Sequence, residues 1–135
     1  MNVVQWASTC AGRRITAPGG LGGQCVDVAN VYVLARGLQA VRANAVDWAA
    51  AGRLPRPWRW EPNGPSNAPP GGAVVVWGPW AAHGISVYGH IAVALAADGA
   101  ALLSLDQDWP PGAGCALVWH DYGGVRGWWV PPTPS

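Results

Sequence analysis

The sequence predicts an α+β domain: N-terminal helices packed on a five-to-six-stranded antiparallel sheet. Three observations carry this. Apolar residues at helical spacing are confined to the N-terminal third of the chain. Further on they come as short runs, AVVVW, HIAVALA, AALLSLD, CALVWH and VRGWWV, separated by GPW, ADG, PPGAG and DYGG. That is the pattern of strands joined by turns. Finally, 135 residues suit one domain, taken here as residues 1–135 without internal repeat.

The elements follow in order. Residues 1–23 read as a short amphipathic helix, with Val3, Val4, Trp6, Ala7 and Cys10 on one side, and then the breaker-rich loop ITAPGGLGG. QCVDVANVYVLARG places Cys25, Val28, Ala29, Tyr32 and Val33 on one helical face, and Gly37 supplies the stop. NAVDWAAAG reads as a second short helix, capped by Asn44 and closed by Gly52. From Arg53 to Gly72 the density of Pro, Gly and Asn predicts a surface loop. The five apolar runs are the strands, and residues 131–135 form a Pro-rich tail.

Composition excludes several classes. Half the residues are hydrophobic, 11% are charged and the net charge is +1, so the chain is not a charge-rich disordered one. The pI near 7.8 argues against a nucleic-acid partner. Gly (19) and Pro (13) imply many turns. All eight basic residues are Arg, Phe is absent and Trp reaches 10, so Trp is expected to stand in for Phe in the core. No run approaches the roughly 18 apolar residues of a membrane span, so no membrane insertion is expected. MNVVQWASTCAGRR lacks the pattern of a secretory signal, which predicts synthesis in a cytoplasm without a signal peptide. Three cysteines without a CxxC pair support neither a disulfide framework nor a Cys-based zinc site; whether Cys10 and Cys115 pair is open.

Three features could carry chemistry. Cys25 follows a Gly-rich loop at a helix start, where free N–H groups and the helix dipole favour a thiolate. Its thiol is therefore expected to ionise below the ordinary cysteine range. His90 opens an apolar strand, on a face with Ala92 and Ala94. LDQDW places Asp106 and Asp108 on one side of a strand end and Gln107 on the other. One carboxylate would accept Nδ1–H of His90, leaving Nε2 to exchange a proton with Cys25: a nucleophile, a base and an orienter. His83 and His120 read as solvated, and no HExxH-like spacing exists, so no metal is expected.

GGQCVD, NAVDWA, PPGGAVVVW, YGHIAV, SLDQDW and RGWWVPP, in that order and spacing, resemble the CHAP domains (cysteine, histidine-dependent amidohydrolases/peptidases), especially those of bacteriophage endolysins. The resemblance implies a papain-like fold and hydrolysis of an amide bond in the stem peptide or cross-bridge of peptidoglycan. It implies Cys25 as nucleophile, His90 as base and Asp106 as orienter, with no cofactor, bacterial peptidoglycan as the partner and the chain acting as a monomer. Gln24, with the Cys25 N–H, is the oxyanion candidate. Asp108 stands where many relatives have Asn, and Ala73 where they often have Asp. The loop ahead of Cys25 lacks the carboxylates with which some phage relatives bind calcium. Trp58, Trp60, Trp80 and Trp109 are the expected groove walls, with Trp77 in the core. The protein would reach the wall after release or delivery. A non-catalytic Trp-rich wall-binding module, a virion-associated lysin and an antibacterial amidase effector stay open as alternatives.

Overall fold

The computed structural model describes residues 1–132; of the Pro-rich tail, residues 133–135 lie outside the described residues. Helix α1 (Val3–Cys10) starts where the Asn2 side chain accepts the Gln5 N–H at 3.0 Å, and it buries Val3, Ala7 and Cys10 while leaving Val4 exposed. Helix α2 (Cys25–Ala35) buries Val28, Ala29, Tyr32 and Val33, the face that the apolar spacing predicts. The next segment differs from expectation. Ala45–Ala49 forms a 3₁₀ turn rather than an α-helix, and Asn44 makes no side-chain cap. Its Trp48 is wholly buried and is held by the Trp129 Nε1–H, which donates to the Trp48 carbonyl at 2.7 Å.

Six strands form one antiparallel sheet: β1 (Arg59–Pro62), β2 (Val74–Trp77), β3 (His90–Ala97), β4 (Leu102–Asp106), β5 (Ala116–His120) and β6 (Val125–Val130), in the order β1-β6-β2-β3-β4-β5. β1 lies inside the segment expected to be loop. RWEP becomes a strand because it pairs with β6, Arg59 opposite Val130 through Pro62 opposite Gly127.

The sheet is covered on both faces. Val74, Val76, Ile91, Val93 and Trp129 pack with Ala29, Tyr32 and Val33 of α2. Val75, Trp77, Ala92, Ala94, Leu102, Trp128 and Val130 form the opposite cluster. Burial on both sides explains why β2 and the start of β3 read as unbroken apolar runs. Each wholly buried large side chain contributes about 1.5–3 kcal/mol. A smaller cluster of Ala7, Cys10, Ile15, Val28, Leu105 and Cys115 ties α1 to β4, with Cys10 and Cys115 present as free thiols. Among the described residues, no helix is long and apolar enough to cross a membrane.

Candidate active site

The loop ahead of Cys25 is organised by one carboxylate. Asp27, buried in the first turn of α2, accepts the Ala17 N–H on Oδ1 at 3.0 Å and those of Gly22 and Gln24 on Oδ2 at 3.1 Å each. A Cβ at Gly20 would stand 1.8 Å from Asp27 Oδ1, so that position needs glycine. A second clamp comes from the sheet. Gln107, wholly buried, accepts the Ile15 N–H at 2.6 Å and donates to the carbonyls of Ile15 (2.8 Å) and Gln24 (2.9 Å). The residue between Asp106 and Asp108 thereby fixes the backbone next to Cys25. Its placement on the opposite side of the strand was legible, but its role in the site was not.

Cys25 is the first residue of α2 and is half-buried. Burial pushes its thiol up to about 11; backbone hydrogen bonds, chiefly from Ile91, act the other way, and the Asp108 charge adds to the rise. This corrects the expectation of a depressed thiol. The helix start does supply N–H groups, but desolvation and a neighbouring carboxylate outweigh them.

His90 opens β3 on the sheet face opposite α2, beside Ala92 and Ala94 as expected, with its ring 5.0 Å from Trp77 and 4.7 Å from Trp109. The preceding Gly89 has φ 76°, and a Cβ there would lie 2.4 Å from the Trp77 carbonyl. His90 Nε2 is 2.6 Å from Asp106 Oδ2. Asp106 thus orients His90, but through Nε2. The expected assignment of the two ring nitrogens is reversed: Nε2, not Nδ1, meets the carboxylate.

Asp106, the last residue of β4, is almost wholly buried. Its Oδ2 also receives Nε2 of His120 at 2.9 Å, and its Oδ1 accepts the Ser104 hydroxyl. Burial raises its carboxyl, yet the hydrogen bonds and charges of His120 and His90 prevail and hold it below the ordinary carboxylate range. His120 was expected to be solvated; its side chain is 7% exposed and packs on Trp77 and Trp109. The nitrogen and oxygen atoms of His90, Asp106 and His120 lie within 4.8 Å of one another, a spacing that a cation could use. Here the three are joined by hydrogen bonds.

Asp108 lies beyond the strand end at φ 63°, where its Oδ1 accepts the Gly112 N–H at 2.6 Å. A cavity of about 400 Å³ is lined by Cys25, His90, Asp108, Trp109, Ser86 and His83, among others. A second, of about 410 Å³, shares Cys25 and Asp108 and extends past Gln24, Val26 and Tyr88. The two carboxylates of LDQDW therefore divide: Asp106 meets the imidazole, whereas Asp108 shares both cavities with Cys25 and acts on its thiol through charge. Of the expected groove walls, Trp109 lines the cavity that holds Cys25 and His90, and half-exposed Trp80 stacks on the cavity residue His83. Trp58 and Trp60 do not belong there. Trp58 is buried under the Arg36 guanidinium, and Trp60 packs edge-on against Trp129, because both belong to the core beside α2. Tyr88, 61% exposed, is an aromatic wall that the Trp-based reading overlooked.

The CHAP domain model matches residues 16–108, well over half of the chain. The fold is similar to the crystal structure of the wild-type endolysin LysIME-EF1, with a TM-score of 0.77 and 24% identity over 96% of this chain and 62% of that one. It is also similar to Ly7917 with the hydrolyzing product of MDP, with a TM-score of 0.67 and 18% identity over 97% of this chain and 62% of that one. The chain therefore spans about 62% of the length of either structure. No curated protein sequence matches.

Proposed function

Since the chain belongs to the CHAP domain family, we propose that it is an endolysin-like peptidoglycan hydrolase that cuts an amide bond by cysteine chemistry. One observation carries this reading: Cys25 and His90 line a single cavity, and Asp106 holds the far nitrogen of His90 from behind.

The substrate carbonyl lies over Cys25. A carboxylate can only accept hydrogen bonds, so both histidines on Asp106 carry Nε2–H, and neutral His90 keeps an Nδ1 lone pair. That nitrogen takes the thiol proton as the sulfur–carbon bond forms. With the thiol pushed up to about 11, the nucleophile is made at the moment of attack rather than stored as a standing thiolate. Cys25 N–H, with exposed Gln24 beside it, faces the developing oxyanion. The His90 Nδ1–H then protonates the departing nitrogen, the carbon–nitrogen bond breaks, and a thioester remains. Water gives a proton to Nδ1 as its oxygen bonds the thioester carbon; the carbon–sulfur bond then breaks, the carboxylic acid leaves, and Nδ1–H returns its proton to the sulfur. No step needs a cofactor. Trp109, Trp80 and Tyr88 offer apolar faces to the glycopeptide, and the chain acts as a monomer.

The test is Cys25→Ala against the wild type on purified peptidoglycan, with released fragments read by mass spectrometry. Wild-type protein should release fragments carrying new amine ends, and Cys25→Ala should release none while keeping its circular dichroism. Binding to the wall without release by the wild type would favour the wall-binding module, and lysis by Cys25→Ala would remove the nucleophile.

A further inference from the structure

His120 sits on β5, a sheet edge whose neighbouring residues Leu117 and Trp119 are 52% and 67% exposed. Its own side chain is turned inward, 7% exposed, and wedged between Trp77 (4.7 Å) and Trp109 (5.2 Å). A polar ring buried between two indoles is costly unless its N–H is satisfied. The N–H finds Asp106 Oδ2 at 2.9 Å, the same oxygen that His90 uses at 2.6 Å. The other oxygen of Asp106 is taken by Ser104. Three donors thus surround one buried carboxylate, and only His90 reaches the cavity that holds Cys25.

We propose that His120 is a positioning residue for the hydrolysis: its Nε2–H holds the Asp106 carboxylate ionised and aligned, so that His90 keeps Nε2–H on Asp106 and turns Nδ1 to the thiol. The proposal rests on the reading of His90 as the base. Without His120 the buried carboxylate loses a donor from the charged form, which favours its neutral form. A protonated Asp106 can donate its own O–H to Nε2, which favours the tautomer of His90 with the proton on Nδ1 and removes the basic lone pair there. The titratable groups facing Asp106 are His90 from β3, His120 from β5 and Cys115 from the segment before β5, whose thiol feels the Asp106 charge.

His120 also has a side of its own. It lines an adjoining cavity of about 180 Å³ with Trp77, Trp119 and Asp121, which shares Trp109, His83 and Ile85 with the cavity of Cys25. The orienting carboxylate is therefore supported from the far side of the Trp109 wall, away from Cys25.

The experiment compares His120→Leu, His120→Gln and His120→Asn with the wild type. It measures kcat and KM for fragment release across pH, iodoacetamide alkylation of Cys25, and Tm. Gln can place its Nε2–H where the imidazole N–H stood; Asn is too short, and Leu has no donor. His120→Leu should lower kcat about tenfold to a hundredfold, the scale of a lost hydrogen bond to a charged group, with KM little changed. Its acidic limb should move to higher pH and its alkylation at neutral pH should slow. Asn should follow Leu, and Gln should recover most of the loss, which keeps the comparison decisive even if Leu does not fold. A wild-type pH profile in the Leu or Asn variant, or a Gln variant as impaired as Asn, overturns the proposal. If the wild type releases no fragments, the hydrolase reading fails, and the alkylation profiles still decide the role of His120.

Discussion

Replacing Asp27 with Ala should destabilise the fold by about 5 kcal/mol. The figure comes from three N–H groups that lose their acceptor: Ala17 at 3.0 Å in a buried setting, and Gly22 and Gln24 at 3.1 Å where water has partial access. A hydrogen bond to a charged group contributes about 1.5–3 kcal/mol, and the partly wet pair belongs at the low end of that range. Set against a typical stability of about 5–15 kcal/mol, the loss is large. For a chain of this size it corresponds to a Tm drop of roughly 15–25 °C. Urea unfolding followed by Trp fluorescence is the assay, since Trp48, Trp77 and Trp128 are wholly buried. Asp27→Asn is the sharper control. Its amide nitrogen would face either the two donors now on Oδ2 or the one on Oδ1, so Asn should recover little. A loss below about 1 kcal/mol for Ala, or near-wild-type stability for Asn, would refute the idea that this carboxylate organises the nucleophile loop.

Two further outcomes are expected. Iodoacetamide labelling of Cys25 should climb steeply as pH rises toward about 11, and Asp108→Asn, which removes a charge that disfavours the thiolate, should speed labelling at pH 8; a rate indifferent to Asp108 would contradict the placement of that charge. EDTA should leave wall hydrolysis unchanged, because His90, Asp106 and His120 are engaged with one another; a loss of fragment release that returns with added zinc or calcium would contradict this.

Local features of the sequence were the most legible. The glycines before Cys25, the helical spacing through Val33 and the alternation from His90 to Ala94 each state their structure within a few residues. Long-range features were hidden. β1 exists only through its pairing with β6, and RWEP carries no strand signal of its own. His120 pairs across the ladder with Leu102, while Ala116 lies opposite Asp106, so no register rule brings it to that carboxylate. The choice between Nδ1 and Nε2 of His90 depends on a ring rotation that spacing does not encode. The thiol was misjudged for a related reason: dipole arguments weigh the helix alone, whereas burial comes from the whole site. The Trp residues erred in the same way, since Trp58 and Trp60 look like loop aromatics until the helix and β6 close over them.

The strand order has a consequence for synthesis. β6 is the last strand of this sheet in chain order, yet it sits between β1 and β2, with Trp128 opposite both Glu61 and Val75. As the chain leaves the ribosome N-terminus first, α2 and the β2–β3 hairpin can form early, but β1 has nothing to pair with and β2 keeps an open edge. Only when residues through Val130 have emerged can β6 slot in, fill both gaps and close Trp129 over Trp48. A nascent or truncated chain lacking β6 would thus carry Cys25, His90 and Asp106 without the scaffold that holds them in register. The arrangement of these three residues would be acquired in one step, when β6 emerges, rather than growing along with the polypeptide.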